Sequence, residues 1–202
     1  MVAERLSPIT MLVPRPATSV PDLNTATDDE IMCAVQSGEV AALASLFERY
    51  HVQLLSFFVR SGSSRAVAED LVQDVFVRIL KYRATYRAGS RFVTWMYYIA
   101  RNARLDLLHK RRGEVEWDDS YTPSFEPDDA AQQAQEHRLL ARAMDRLPAD
   151  KRELLVLCRY QELKYEEVGA ILGCESGTVK VRVHRALREL RAHFEELSRG
   201  DA

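Results

Sequence analysis

Apolar residues recur at spacings of three and four along most of this chain, the period of an amphipathic helix rather than of a strand. Leu43, Leu46, Phe47, Tyr50, Leu54, Leu55 and Phe58 form one such stripe and predict a helix over 40–60. Leu71, Val72, Val75, Phe76, Ile79 and Leu80 predict a second, starting at Ser64 or Arg65 and running to about 82. Met96, Ile99, Ala100, Ala103 and Leu107 predict a third, starting at Phe92 or Thr94 and running to 110. A shorter helix over 30–37 precedes them, with Asp28 and Asp29 as its caps. The small polar run at 61–64 separates the first two long helices. The pattern restarts at 136–146, and Pro148 opens a further helix at a first-turn position that proline tolerates. Leu154, Leu155, Leu157 and Tyr160 form its core face.

The stretch 165–191 carries the densest set of signals. Val168, Ile171 and Leu172 mark a short helix, Gly173 stands where a left-handed C-terminal turn needs glycine, and Ser176 can cap the next helix. That next helix places Val179, Val183, Leu187 and Leu190 on one stripe and Lys180, His184, Arg188 and Arg191 on the opposite arc, with Arg182 and Arg185 on the flanks. Gly169 is small where the two helices must cross closely. Together these predict a helix-turn-helix whose second helix is offered to a DNA major groove.

Composition sharpens this picture. Over 202 residues, 47% are hydrophobic, which suffices for packed cores, and Gly and Pro are scarce, as a mostly helical protein requires. We therefore expect an all-α chain: a flexible tail over 1–27, a helical domain over 28–112, an acidic linker over 113–133 and a second helical domain over 134–197. The net charge is only −2, but the charges are segregated. Arg101, Arg104, Lys110, Arg111 and Arg112 make 101–112 basic, Glu114 to Asp129 holds seven acids and no Lys or Arg, and the helix after Gly177 is basic again. Two binding faces separated by an anionic tether have this alternation. In the helix over 92–110, Tyr97 and Tyr98 interleave with Arg101 and Arg104, an arrangement that either stacks unpaired bases while gripping phosphate or packs on neighbours; Trp95 is read as a packing residue.

Other chemistry is absent from the pattern. Cys33, Cys158 and Cys174 are isolated, with no ligand spacing, so neither a metal site nor a disulfide framework is expected. There is no phosphate-binding loop and no nucleophile–base arrangement, so no enzyme activity and no cofactor are expected. No apolar run reaches membrane-spanning length, and Pro8, Pro14 and Pro16 interrupt the apolar residues near the start; the expectation is a cytoplasmic protein with no membrane insertion.

Three segments, AEDLVQDVFVRIL (68–80), RFVTWMYYIARNARLDLLHKRR (91–112) and LPADKRELLVLCRYQELKYEEVGAILGCESGTVKVRVHRALREL (147–190), together resemble the bacterial RNA polymerase sigma factors of the extracytoplasmic-function (ECF) group. The resemblance implies a dissociable subunit that binds core RNA polymerase, directs it to promoter DNA and aids melting. It implies that Asp70, Gln73 and Asp74 dock on the polymerase, although acids there also suit the start of a helix. It implies that the loop 86–91, with Tyr86 and Arg91, holds a flipped base of the −10 element, and that Arg101, Asn102, Arg104 and Asp106 lie on the helix that reads that element. Ser176, Thr178, Lys180, Arg182 and Arg185 would face the −35 element. An antagonist, an anti-sigma factor, is a further implied partner. Two departures bear on promoter choice: the turn reads GCES where relatives often carry a proline, and Val181 stands where a small polar residue is common. The competing reading is an autonomous helix-turn-helix regulator, which would account for the last third but not for the acidic patch or the aromatic–basic helix.

Overall fold

The computed structural model describes residues 26–112 and 131–200. Most of the expected tail (1–27) and linker (113–133) lies outside the described residues, but Ala26 is buried and Thr27 caps the first helix, and 131–133 already belong to a helix. Those described form helices and connecting turns, with no strand among them.

Four helices make the first half: α1 (Asp28–Ser37), α2 (Leu43–Arg60), α3 (Arg65–Tyr82) and α4 (Phe92–Arg112), with 3₁₀ turns at Val40–Ala42 and Arg83–Thr85. The α1 cap is Thr27, one residue before the expected aspartates; its hydroxyl accepts from the Glu30 amide and the Glu30 carboxylate accepts from the Thr27 amide. This frees Asp28 and Asp29 for tertiary work. Asp28 binds Arg49 at 2.9 Å and the Tyr50 hydroxyl, tying α1 to α2. Ser64 caps α3 as expected, accepting from the Val67 amide. Leu46, Leu54, Phe57, Val75, Ile79 and Met96 from α2, α3 and α4 are fully buried between the helices.

The second half contains α5 (Ala131–Asp145), α6 (Ala149–Leu155), α7 (Tyr165–Leu172) and α8 (Ser176–Gly200). α5 begins five residues before the expected start at 136, and Pro148 precedes α6 as its cap residue rather than lying inside it. Between α6 and α7 the backbone widens into one π-helical turn at Val156–Tyr160, where the Gln161 amide reaches back to the Val156 carbonyl. Glu162 then takes a left-handed backbone (φ 52°), and Leu163 turns into the core. Nothing in the period of the sequence marks this π turn.

The two halves touch. One apolar core runs continuously from Ile31 in α1 to Ala186 in α8, and α4 packs against α7 while α2 meets the π turn. A small second cluster, Leu139, Ala143 and Leu197, joins α5 to the far end of α8.

Candidate nucleic-acid and polymerase interfaces

The α7–turn–α8 unit has the expected geometry. Gly173 ends α7 at φ 69°, in the left-handed region that glycine adopts without strain. The Cys174 amide donates to the Gly169 carbonyl at 2.9 Å, closing the turn. A Cβ on Gly169 would lie 2.5 Å from the Cys174 carbonyl oxygen, so only glycine fits this crossing. α8 begins at Ser176 itself, with the Val179 amide donating to the Glu175 carbonyl; Ser176 is therefore the first helical residue rather than the cap. Val179, Val183 and Ala186 are buried, with Leu187 and Leu190 half-buried beside them. Thr178, Lys180, Arg182 and Arg185 are exposed and Ser176 is half-buried, so the cationic face is turned to solvent.

On α3, Asp70 and Gln73 are exposed and Asp74 is half-buried. Arg78 joins this patch to α4: its Nε donates to Asp74 at 2.9 Å and its Nη1 to Asp106 at 2.5 Å. Burial opposes the Arg78 charge, but the two carboxylates outweigh it and hold the guanidinium above its ordinary range.

The loop before α4 is clamped from α1. Asp29 accepts from the Tyr86 hydroxyl and from the Gly89 amide at 2.6 Å, and these two donors hold its carboxyl below the usual range. Gln36 donates to the Arg83 and Tyr86 carbonyls at 2.8 and 2.9 Å. Tyr86 itself is buried at 4% exposure against Phe92 and Trp95, and its hydroxyl also donates to the Ser90 carbonyl. Burial and the Asp29 hydrogen bond both push its phenol pKa up. In this structure Tyr86 supports the loop from beneath and offers no ring to a base; Arg87, Gly89 and Ser90 form the outer surface.

α4 presents three faces rather than the two its period suggests. Met96, Ile99, Ala100 and Ala103 face the first-half core as expected. Tyr98, Asp106, His109 and Lys110 are exposed, with Asn102 half-buried at the edge of that surface. The third face, Tyr97, Arg101 and Arg104, is covered by α6 and its continuation. The Tyr97 hydroxyl donates to Gln161 Oε1, Arg101 Nε donates to Glu153 Oε2 at 3.1 Å, and Arg104 Nη1 donates to Glu153 Oε1 at 3.5 Å. Arg104 Nη2 also donates to the Ser61 carbonyl at 2.6 Å. Burial pushes the Arg104 pKa down against the opposing pull of Glu153. Arg91 and Thr94 both reach Glu167 on α7. Glu153 was missed as a functional residue, yet it carried a signal: an acid sharing a helical face with Val156 and Leu157 must find a buried cation.

Among the described residues, no group of three or more His, Cys, Asp or Glu is placed to hold a metal ion. No helix among them is long and apolar enough to cross a membrane.

Comparison with known proteins agrees with this layout. The family model "Sigma-70 region 2" matches residues 46–114 and "Sigma-70, region 4" matches 137–190. The RNA polymerase sigma factor CarQ of Myxococcus xanthus is 34% identical over 80% of this chain and 94% of its own length. The ECF RNA polymerase sigma factor RpoE of Cereibacter sphaeroides is 35% identical over 76% of this chain and 87% of its own. Among solved structures, the sigma factor RpoE of Bartonella quintana, in complex with the anti-sigma factor NepR, superposes with a TM-score of 0.64 at 29% identity, covering 75% of this chain and 96% of that one. With both regions matched in order and relatives covered over almost their whole length, the chain belongs to the ECF group of the sigma-70 family of RNA polymerase sigma factors.

Proposed function

We propose that this chain is a promoter-specificity subunit that binds core RNA polymerase and directs transcription initiation. The observation that carries the reading is the α7–turn–α8 unit, with Thr178, Lys180, Arg182 and Arg185 exposed on the outer face of α8 and its apolar stripe spent on the core. In this reading, residues 28–112 are the unit that docks on polymerase and handles the −10 element, and residues 134–197 are the −35 unit. Exposed Asp70 and Gln73 of α3, with half-buried Asp74 beside them, dock on a basic surface of the polymerase. Arg91, Arg101, Asn102, Arg104 and Asp106 engage the −10 element, with Tyr86 shaping the loop. Lys180, Arg182 and Arg185 bond base edges and phosphates at −35, while Ser176 and Thr178 fix register on the phosphates.

Such a subunit is regulatory rather than catalytic, and it works in the compartment where transcription occurs. A sigma factor of similar fold has been solved bound to an anti-sigma factor, and this chain is expected to have an antagonist of that kind. The test is transcription by bacterial core polymerase from a pool of host promoter fragments, with and without the chain. Discrete starts that appear only on its addition establish the function, and sequencing upstream of them gives both promoter elements. No core binding and no specific starts would overturn it.

A further inference from the structure

Four hydrogen bonds from α1 converge on the segment between α3 and α4. Asp29 accepts from the Tyr86 hydroxyl and, at 2.6 Å, from the Gly89 amide. Gln36 Nε2 donates to the Arg83 carbonyl at 2.8 Å and to the Tyr86 carbonyl at 2.9 Å. Within the loop, the Ser90 amide and hydroxyl both donate to the Arg87 carbonyl, at 3.0 and 2.5 Å, and the Ser90 carbonyl accepts from Tyr86. Gly89 holds a left-handed backbone, φ 82°, and its amide is the one that Asp29 takes.

On the outside, Arg87, Ala88, Gly89 and Ser90 are exposed. Ala88 and Gly89 carry no polar side chain, and the Ser90 hydroxyl is turned back onto the loop. Beyond the Arg87 guanidinium, the loop can therefore offer a base only main-chain groups. A main-chain donor or acceptor has no rotamers to search. Where it points is decided by the backbone of the loop, and that backbone is held from α1.

We infer that Asp29 and Gln36 are positioning residues for base selection at −10: from beneath, they hold loop 86–91 in the one backbone conformation whose outward main-chain groups match the preferred base. This inference rests on the reading of that loop as the holder of a flipped −10 base. Extruding a base costs stacking and pairing energy, and a loop already ordered offsets more of it because it has little freedom left to lose on contact. Discrimination follows from the same rigidity. A fixed array leaves a mismatched base with unpaired groups, whereas a loose one rearranges around any base. Asp29 suits the task because its two donors hold its carboxyl below the usual range, so it remains an acceptor through neutral pH.

The test uses the full chain with core polymerase and a promoter recovered from host fragments, its −10 and −35 elements randomised position by position. Sequencing the transcribed templates gives a base-preference profile. D29N keeps the shape of Asp29 but cannot accept through both ends, and Q36A removes the other two bonds without touching a charge. Both variants keep the Thr27–Glu30 cap of α1. If the held conformation falls to about a tenth of the loop population, binding of the preferred base weakens about tenfold, and preference at one −10 position flattens by about that factor. Preferences at −35 and affinity for core polymerase should stay as in wild type. Y86F removes the same bond to Asp29, so D29N/Y86F should flatten the profile by less than the two single effects combined.

A profile that keeps its shape in either variant, once circular dichroism shows it folded, overturns the assignment of that residue, whatever the overall yield of transcript. Flattening that extends to −35 overturns the inference as a whole. A88E separates these results from failure of the reading beneath them: a carboxylate on the outer surface of the loop should redraw the same −10 position. If A88E alters no −10 preference, the loop does not face a base, and the inference falls with that reading.

Discussion

Gly169→Ala and Gly177→Ala are the same chemical change in adjacent helices, and the structure gives them opposite signs. Both glycines are helical, so alanine gains up to about 1 kcal/mol of helix propensity at either site by reducing the freedom of the unfolded chain. At Gly177 nothing lies within 4 Å of the new Cβ, so the gain stands, reduced because the site is in the first turn of α8. At Gly169 the new Cβ meets the Cys174 carbonyl oxygen at 2.5 Å, with the Ser176 amide nitrogen at 3.5 Å. These are backbone atoms of the helix-turn-helix turn, and no rotamer change relieves them. Forcing an extra methyl into packed surroundings costs about 1–3 kcal/mol, which exceeds the propensity gain over most of that range. With the full propensity gain set against it, the net expectation for G169A is a loss of up to about 2 kcal/mol, or a fall in melting temperature of up to roughly 8 °C for a chain of this size. G177A is expected to hold or rise slightly. Because the clash pushes the turn, G169A should also shift α8 relative to α7 and reduce transcription from promoters that depend on −35 contacts, measured beside an unaltered affinity for core polymerase. Thermal melts by circular dichroism decide the stability part. If G169A melts at or above the wild-type temperature, the crossing is looser than described and the argument for Gly169 fails.

Replacing Lys180, Arg182 and Arg185 by alanine together should shift the melting temperature by no more than about 6 °C, since exposed sites contribute within about 0.5 kcal/mol each and a kcal/mol is worth about 2–4 °C here, while promoter use falls and the salt dependence of promoter binding flattens; a larger melting loss would show that these side chains are structural. Burial pushes the Cys158 thiol up to about 11, so at pH 7.5 it should react with a disulfide reagent far more slowly than the exposed Cys33, and denaturant should remove the difference; equal rates in the folded chain would contradict the burial of Cys158. For Glu167, burial raises the pKa but the Lys164 amide and Arg91 together hold it below its ordinary 4.5, so its stabilisation is complete above that value and disappears as pH falls through the lowered one. Asp29, held low by Tyr86 and Gly89, follows the same sign; melting temperatures should therefore fall on acidification through the carboxylate range, and E167Q should show a smaller fall than wild type.

The helices were largely legible because each stripe is a property of its own sequence. The α3 stripe, the Gly173 turn and the close crossing at Gly169 all appear where the pattern placed them. What was not legible depends on a neighbour. Tyr97, Arg101 and Arg104 lie off the apolar stripe of α4, so periodicity assigns them to solvent, yet Tyr97 is 1% and Arg104 7% exposed because a helix some fifty residues away covers them. A helical period records which face of one helix is apolar and is blind to a polar face matched by another polar face. The cap of α1 was misassigned because Thr27, Asp28 and Asp29 are all good caps, and only the reciprocal bond with Glu30 distinguishes Thr27. For Tyr86, the loop composition showed an aromatic among arginines, but the Asp29 carboxylate that draws its hydroxyl inward comes from α1, far away in sequence.

α8 runs for 25 residues without a break, a rod about 37 Å long at about 1.5 Å per residue. Its first turns carry the exposed cations, its middle lies on α6 and α7, and Leu197 near its far end is gripped by α5. A rod held at its middle and pulled at one end is a lever. The chain entering α5 attaches, through Leu139 and Ala143, to the end opposite the exposed cations. A tilt of about 10° about the middle would swing each end by about 3 Å, nearly one base-pair step along a duplex. In the proposed reading, a pull on α5 would therefore be felt as a change in the angle at which the exposed cations of α8 meet DNA.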